Sequence, residues 1–208
     1  MTKLVRYSTF LILLPALAQQ PLELPQPQTD GGRPLMQVLK DRKTSREFSG
    51  ESLPPQVLSN LLWAAFGINR PADGRRTAPS AHNWQEVDIY VATAGGAYLF
   101  EPKTHSLKPV IADDIRKSTG TQAFVADAPV NLVYVADYTR MVDASESDKI
   151  SYSAADTGFI AQNVYLFCAS EGLATVVRGG VDQSLPKLLK LRPDQHITLA
   201  QTVGYPKK

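Results

Sequence analysis

The chain has 208 residues, 43% of them hydrophobic and 20% charged, with 22 Lys and Arg against 20 Asp and Glu. That length and apolar content suffice for one domain with a sizeable core, and a formal net charge of +2 gives no field able to gather nucleic acid or anionic lipid, which excludes a nucleic-acid binder. The single cysteine, Cys168, rules out an intramolecular disulfide.

In chain order, residues 1–18 read as an export signal. Lys3 and Arg6 form a positive amino end, Thr9 to Leu14 an apolar core, and Ala16-Leu17-Ala18 a small-residue cleavage site. The apolar stretch, interrupted by Pro15, falls well short of the roughly 20 residues that cross a bilayer, so no membrane anchor is expected after cleavage. There is no Arg-Arg pair, so the general secretory route is expected, to the periplasm or the exterior. The leader removes two cations and no acids, leaving the mature chain formally neutral. Residues 19–34, rich in Pro and Gln, read as a flexible extended arm, and the domain is expected over residues 35–208.

Leu35 to Asp41 reads as a short helix ending at a basic cluster. Gln56 to Phe66 reads as a second, with Val57, Leu58, Leu61, Leu62 and Ala65 on one face, Pro54-Pro55 at its start and Gly67 as its stop. After a polar loop, Asn69 to Thr77, the alternating Val87 to Ala92 and the return Ala97 to Phe100 predict a hairpin turned at Gly95-Gly96, with Leu107 to Val110 extending the meander. A short helix is expected over Ala112 to Ser118, and Val130 to Ala136 is a β-branched run suited to a buried strand. From Ser153 to Glu171 the stripe of Ala154, Gly158, Ala161, Tyr165 and Cys168, widened by Ile160, Val164 and Phe167, predicts a long helix needing cover on nearly all sides. Such a helix belongs in a core or at a subunit contact, and Cys168 within it reads as an inert buried thiol. Leu173 to Val177 and Ile197 to Val203 read as strands around a short helix, Ser184 to Leu191. The expected class is α+β, a mostly antiparallel or mixed central sheet flanked by helices with one long buried helix.

Three separated segments carry the chemistry. Arg42-Lys43-Thr44-Ser45-Arg46 packs three cations and two hydroxyls into five residues, which suits a phosphate dianion. Pro79 to Gln85 and the Arg178-Gly179-Gly180 stretch offer amides for a planar heterocycle. His82, His105 and His196 make no metal spacing, so no metal is expected. There is no Gly-x-Ser-x-Gly elbow, no His-Glu-x-x-His, and no Gly-x-Gly-x-x-Gly after a strand, so hydrolase, zinc-protease and dinucleotide-fold chemistries lack a motif.

The chain from about Leu35 to Pro206 resembles the nitroreductase family of FMN oxidoreductases, and within it the thiazoline-oxidase and SagB-type dehydrogenases. The resemblance rests on Arg42 to Arg46 with Phe48, on Arg76-Thr77-Ala78-Pro79-Ser80-Ala81 leading into Asp88-Ile89-Tyr90-Val91, and on Tyr98-Leu99-Phe100-x-Pro102 with His105 and Leu107. Asp156-x-Gly158 with Gln162-Asn163, and Val203-Gly204-Tyr205-Pro206, complete it. It implies FMN as cofactor, with Arg42, Lys43, Thr44 and Arg46 on its phosphate, aided by Lys207 and Lys208. Asn83 would face the pyrimidine edge, helped by Gln85, while Pro79, Ser80 and His82 shape the loop beneath the ring. The backbone of Gly179 and Gly180 would face N5, and Arg76 and Arg178 stand as substrate-side candidates. The flavin would carry the redox step, so no catalytic acid, base or nucleophile is nominated. A small electron-poor acceptor such as a quinone or nitroaromatic, an electron donor, NAD(P)H or another reductant, and a homodimer are implied. The family's partner-embracing tail has no counterpart after Lys208, so contact through the long helix is expected instead. A flavin-binding protein without turnover is the alternative from another functional class.

Overall fold

In the computed structural model, which describes residues 21–208, the β-branched run Val130–Asp137 lies inside a seven-stranded sheet with all eight residues buried. An apolar run without alternation behaves this way when both faces of its sheet are covered. Chain order is β1 (Leu22–Glu23), α1 (Leu35–Asp41), α2 (Pro55–Phe66), β2 (Ile68–Arg70), β3 (Arg75–Arg76), β4 (Val87–Thr93), β5 (Gly96–Glu101), β6 (Ser106–Ile111), α3 (Phe124–Asp127), β7 (Val130–Asp137), α4 (Glu146–Glu171), β8 (Ala174–Arg178), α5 (Leu185–Leu188) and β9 (Gln195–Gly204). The sheet runs β1-β6-β5-β4-β7-β9-β8, and every neighbouring pair is antiparallel. On one face Ile89, Val91, Leu132 and Tyr134 pack with Leu61, Leu62 and Phe66 of α2 and Ile160 and Val164 of α4. On the other, Tyr90, Ala92, Val133 and Val135 meet Leu185 and Leu189. The expected α+β class, antiparallel sheet and long helix are present.

The β4–β5 hairpin depends on one glycine. Gly96 has φ of +132°, and a Cβ there would sit 2.5 Å from the Ile111 carbonyl oxygen of β6. Gly96→Ala therefore meets both a disfavoured backbone and a fixed neighbour, and is expected to cost about 2 kcal/mol, roughly 4 to 8 °C in the thermal midpoint. Calorimetry showing an unchanged midpoint would mean that β6 yields without cost.

Several boundaries differ from the sequence reading, each for a local reason. The arm is extended, but it is tied down rather than loose. Leu22 and Glu23 pair with Leu107 and Ser106, Leu24 is buried, and the carbonyls of Pro25 and Gln26 accept from Ser59 Oγ at 2.6 Å and Gln56 Nε2 at 2.9 Å. It covers the edge of the sheet, so the folded unit reaches back to Leu22. The export-signal residues 1–18 lie outside the described residues. The long helix starts at Glu146, seven residues before the expected Ser153, because its first two turns are polar and are set by Ser145, whose Oγ accepts from Asp148 N at 3.2 Å. Ala112 to Ser118 yields only a 3₁₀ turn at Arg116–Thr119, Ser184 to Leu191 a single turn at Leu185–Leu188, and the Asn69 to Thr77 loop folds into the small β2–β3 hairpin. The buried stripe of α4 is also narrower than expected. Ser153, Asp156, Thr157, Ile160, Ala161, Val164 and Cys168 face inward, whereas Ala154, Gly158 and Phe159 are exposed. Among the described residues no helix is long and apolar enough to cross a membrane.

Candidate functional site

The basic cluster follows α1 as a segment without regular secondary structure. The Arg42 guanidinium lies 5.3 Å over the Tyr165 ring, and Thr44 Oγ1 is 3.0 Å from the Tyr165 hydroxyl. Tyr165, with Lys43, Ser45, Glu47 and Lys207, lines a cavity of about 690 Å³ bordered by Gly172 to Thr175. Two contacts join this stretch to β8: Ser45 N donates to the Thr175 carbonyl at 3.0 Å, and Val177 N donates to the Tyr165 hydroxyl oxygen at 3.1 Å. Beyond that strand come Gly179 and Gly180. A Cβ at Gly179 would meet nothing within 4 Å, and one at Gly180 only Thr121 Oγ1 at 3.9 Å, so packing does not require glycine and the backbone is open to approach.

Among the described residues, Arg42, Lys43 and Arg46 pair with no carboxylate. Two guanidiniums, an ammonium and hydroxyls left without anionic partners form a donor set suited to a phosphate dianion. Lys207 N donates to the Glu47 carbonyl at 3.3 Å, which fastens the carboxyl end beside this stretch, and Lys208 follows in solvent.

The Pro79 to Gln85 loop is elsewhere in the chain. Ala81 N donates to Asp156 Oδ2 at 2.8 Å, and Trp84 and His82 pack edge-on to Tyr152 at 5.9 and 6.1 Å. Asp156 and Tyr165 are nine residues apart on α4, about 14 Å along its axis. Within one chain the structure therefore brings the first and third segments together and leaves the second apart. Segment order in the sequence says nothing about which turn of the long helix each segment meets.

The loop is strained and heavily braced. His82, Asn83 and Gln85 all have positive φ, at +50°, +56° and +49°, a conformation that non-glycine residues rarely hold. Ser80 Oγ accepts from Gln85 N at 2.8 Å, and Arg140 Nη1 donates to the Gln85 carbonyl at 3.1 Å. The Gln85 amide is used internally, accepting from Arg76 Nε at 2.8 Å and donating to the Gly74 carbonyl and Asn83 Oδ1. Asn83 retains its amide N–H groups. Arg76 is likewise engaged, donating to the Phe66 carbonyl at 3.1 Å and lying 4.7 Å over the Phe66 ring.

Arg178 is not at a substrate face. Its side chain turns inward, 6% exposed, and donates to the Thr119 carbonyl at 2.6 Å, Asn131 Oδ1 at 3.2 Å and Thr202 Oγ1 at 2.9 Å. The inward alternation of β8 fixes that direction. Cys168 is fully buried and burial raises its thiol pKa, in keeping with the inert role expected.

Sequence reasoning missed two groups here. Tyr165, placed only on an apolar stripe, is the post joining the basic stretch to β8. Glu86, next to the strained loop, is fully buried with no donor on either carboxylate oxygen. It faces Asp156, and burial beside that second acid pushes its pKa up to about 7, while burial also raises that of Asp156. No periodicity marked Glu86, because the strand it leads into is buried on both faces.

A sequence profile of the nitroreductase family matches residues 39–205. The chain belongs to the nitroreductase family. A Ralstonia eutropha protein named as a nitroreductase is 40% identical and superposes with a TM-score of 0.87, over 98% of this chain and 100% of its own. A Methanocaldococcus jannaschii protein named as a nitroreductase is 31% identical over 169 residues, 76% of this chain and 85% of its own. The NADPH:FMN oxidoreductase of Vibrio harveyi, in complex with NAD+, shares the nitroreductase fold at 21% identity, with a TM-score of 0.64 over 84% of this chain and 69% of its own.

Proposed function

We propose that this nitroreductase-family protein is an exported, FMN-dependent oxidoreductase that reduces a small electron-poor acceptor, such as a quinone or a nitroaromatic, and works as a homodimer. The observation that carries the reading is the set of Arg42, Lys43 and Arg46 charges without carboxylate partners, linked through Tyr165 to the open backbone at Gly179 and Gly180. A curated NADPH-flavin oxidoreductase of Vibrio harveyi, 30% identical over 103 residues that span 45% of this chain and 43% of its own, supports flavin as the cofactor.

When bound, FMN supplies two-electron chemistry at N5. Arg42, Thr44 and Arg46 would hold the phosphate, with Lys43 and Lys207 adding charge nearby. The amides of Gly179 and Gly180 would face the ring, and Asn83 would offer its N–H groups to the pyrimidine edge. The loop bearing Asn83 stands about 14 Å away along α4, a span that FMN itself, or a second copy across an interface, would bridge. The exposed Ile150, Tyr152 and Phe159 on α4 and Leu35, Met36 and Leu39 on α1 support such an interface. Export rests on Lys3, Arg6 and Ala16-Leu17-Ala18. The Tyr98-Leu99-Phe100 hairpin with His105 supports the thiazoline-oxidase-like subgroup.

The purified protein is expected to be a yellow dimer that releases FMN on heating and, once reduced, is reoxidised by a quinone. Retained colour without turnover would move the assignment to a flavin-binding protein. A colourless protein after reconstitution with FMN would overturn both. Amino-terminal sequencing of exported material, expected to begin at Gln19, tests the leader.

A further inference from the structure

Glu86 and Asp156 form a buried acid pair that the proposed redox chemistry does not use. Glu86 is 0% exposed and Asp156 2% exposed. Among the described residues neither Glu86 oxygen has a partner within hydrogen-bond geometry, while one oxygen of Asp156 accepts from Ala81 N at 2.8 Å. An ionised Glu86 would be a buried charge with no hydrogen bond, next to a second carboxylate; keeping one proton removes both costs. Protonated, Glu86 would be able to donate its O–H to the neighbouring Asp156, whose Oδ2 accepts from Ala81 N. The other charge facing Glu86 is Arg140, from the turn after β7, and its guanidinium is occupied by both oxygens of Asp88 at 2.8 Å and lies near Asp137. It leaves the shared proton as the cheaper solution.

The pair stands where the strained loop needs an anchor. Three residues at positive φ lie between Ala81 and Glu86, so the Asp156–Ala81 bond and the buried Glu86 clamp the loop at its two ends. We propose that Glu86 and Asp156 are positioning residues, a proton-sharing latch that holds the Ser80 to Gln85 loop in its strained shape and so presents Asn83 to the cofactor. The cofactor part of this inference rests on the flavin reading above; the latch itself does not. The sign follows from linkage: the native state holds a proton on Glu86 that the unfolded chain releases near the ordinary Glu value, so the latch's stability is present in mild acid and declines as pH rises through about 7.

The test follows the flavin-free protein from pH 5.5 to 8.5 by thermal unfolding and by Trp84 fluorescence, in a Trp63→Phe background so that Trp84 alone reports. The midpoint is expected to fall by roughly 5 °C across that range, with a change in Trp84 emission over the same interval. Glu86→Gln, whose amide donates to Asp156 at every pH, is expected to flatten both profiles. Asp156→Asn, which accepts from Ala81 and donates to an ionised Glu86, is expected to flatten them too and serves if Glu86→Gln does not fold. His82→Asn removes the loop's own imidazole, whose ring centroid lies 4.5 Å from that of Trp84, and is expected to keep the pH dependence of the midpoint. Profiles of Glu86→Gln or Asp156→Asn that overlay the parent's, or a His82→Asn profile that is flat, would overturn the latch. With FMN added, affinity is expected to fall about tenfold between pH 6 and 8 in the parent and to stay level in Glu86→Gln. Absence of FMN binding at any pH with the two unfolding profiles still distinct would refute the flavin reading and the loop's role toward it, and leave the latch standing.

Discussion

Replacing Arg178 with Met is expected to destabilise the protein by about 3 to 5 kcal/mol, lowering the thermal midpoint by roughly 10 °C or more. The guanidinium ties three elements together: the Thr119 carbonyl before Gly120, Asn131 on β7 and Thr202 on β9. Asn131 in turn donates to the Val125 carbonyl at 2.7 Å and accepts from Thr202 Oγ1 at 2.6 Å, so one truncation leaves several buried polar groups short of partners. The chain has shaped itself around this side chain, since a Cβ at Gly120 would lie 2.0 Å from Arg178 Nη1. No carboxylate joins the cluster, and burial lowers the guanidinium's pKa to about 10, still charged at neutral pH. Arg178→Lys, which keeps the stem and the charge but forms fewer bonds, is expected to lose less than the Met variant. A Met variant as stable as the parent would show that desolvation of the cation already cancels its hydrogen bonds.

The Arg42→Ala, Arg46→Ala double variant is expected to do the reverse, keeping the fold and losing the cofactor. Neither guanidinium has an ion-pair partner among the described residues, and Arg46 is exposed, so the midpoint should move by no more than a degree or two. Each charge-assisted contact to a phosphate contributes about 1.5 to 3 kcal/mol, so losing two weakens FMN binding by between about a hundredfold and ten-thousandfold. Riboflavin, which lacks the phosphate, provides the control: its affinity should be nearly the same in both proteins. Equal FMN affinity in the variant and parent, measured by quenching of flavin fluorescence, would remove the basic stretch from the site.

The two arginine predictions show how unevenly function is written along this chain. Arg42 and Arg46 stand out in the sequence as part of three cations within five residues, a pattern more common on a solvated face than at a site, and among the described residues neither has a carboxylate partner. Arg178 looked alike, a cation beside two glycines, yet the alternation of a strand paired on its inner side directs it into the core. Charge says that a group needs a partner; only the register of β8 against β9 decides whether that partner is a ligand or Asn131.

By itself the sequence determined the class of the fold, the positions of most strands and the second helix between Pro55 and Gly67, because these depend on periodicity and residue chemistry within a few positions of one another. Tertiary structure alone decided that residues 22–28 are a tied edge strap, that the Pro79 to Gln85 loop meets α4 about nine residues from Tyr165, and that Glu86 is sealed against Asp156. Those facts depend on contacts between segments 30 to 120 residues apart, where burial and the loss of water set each group's energy, and no local pattern records which distant side chain will supply the proton or the bond.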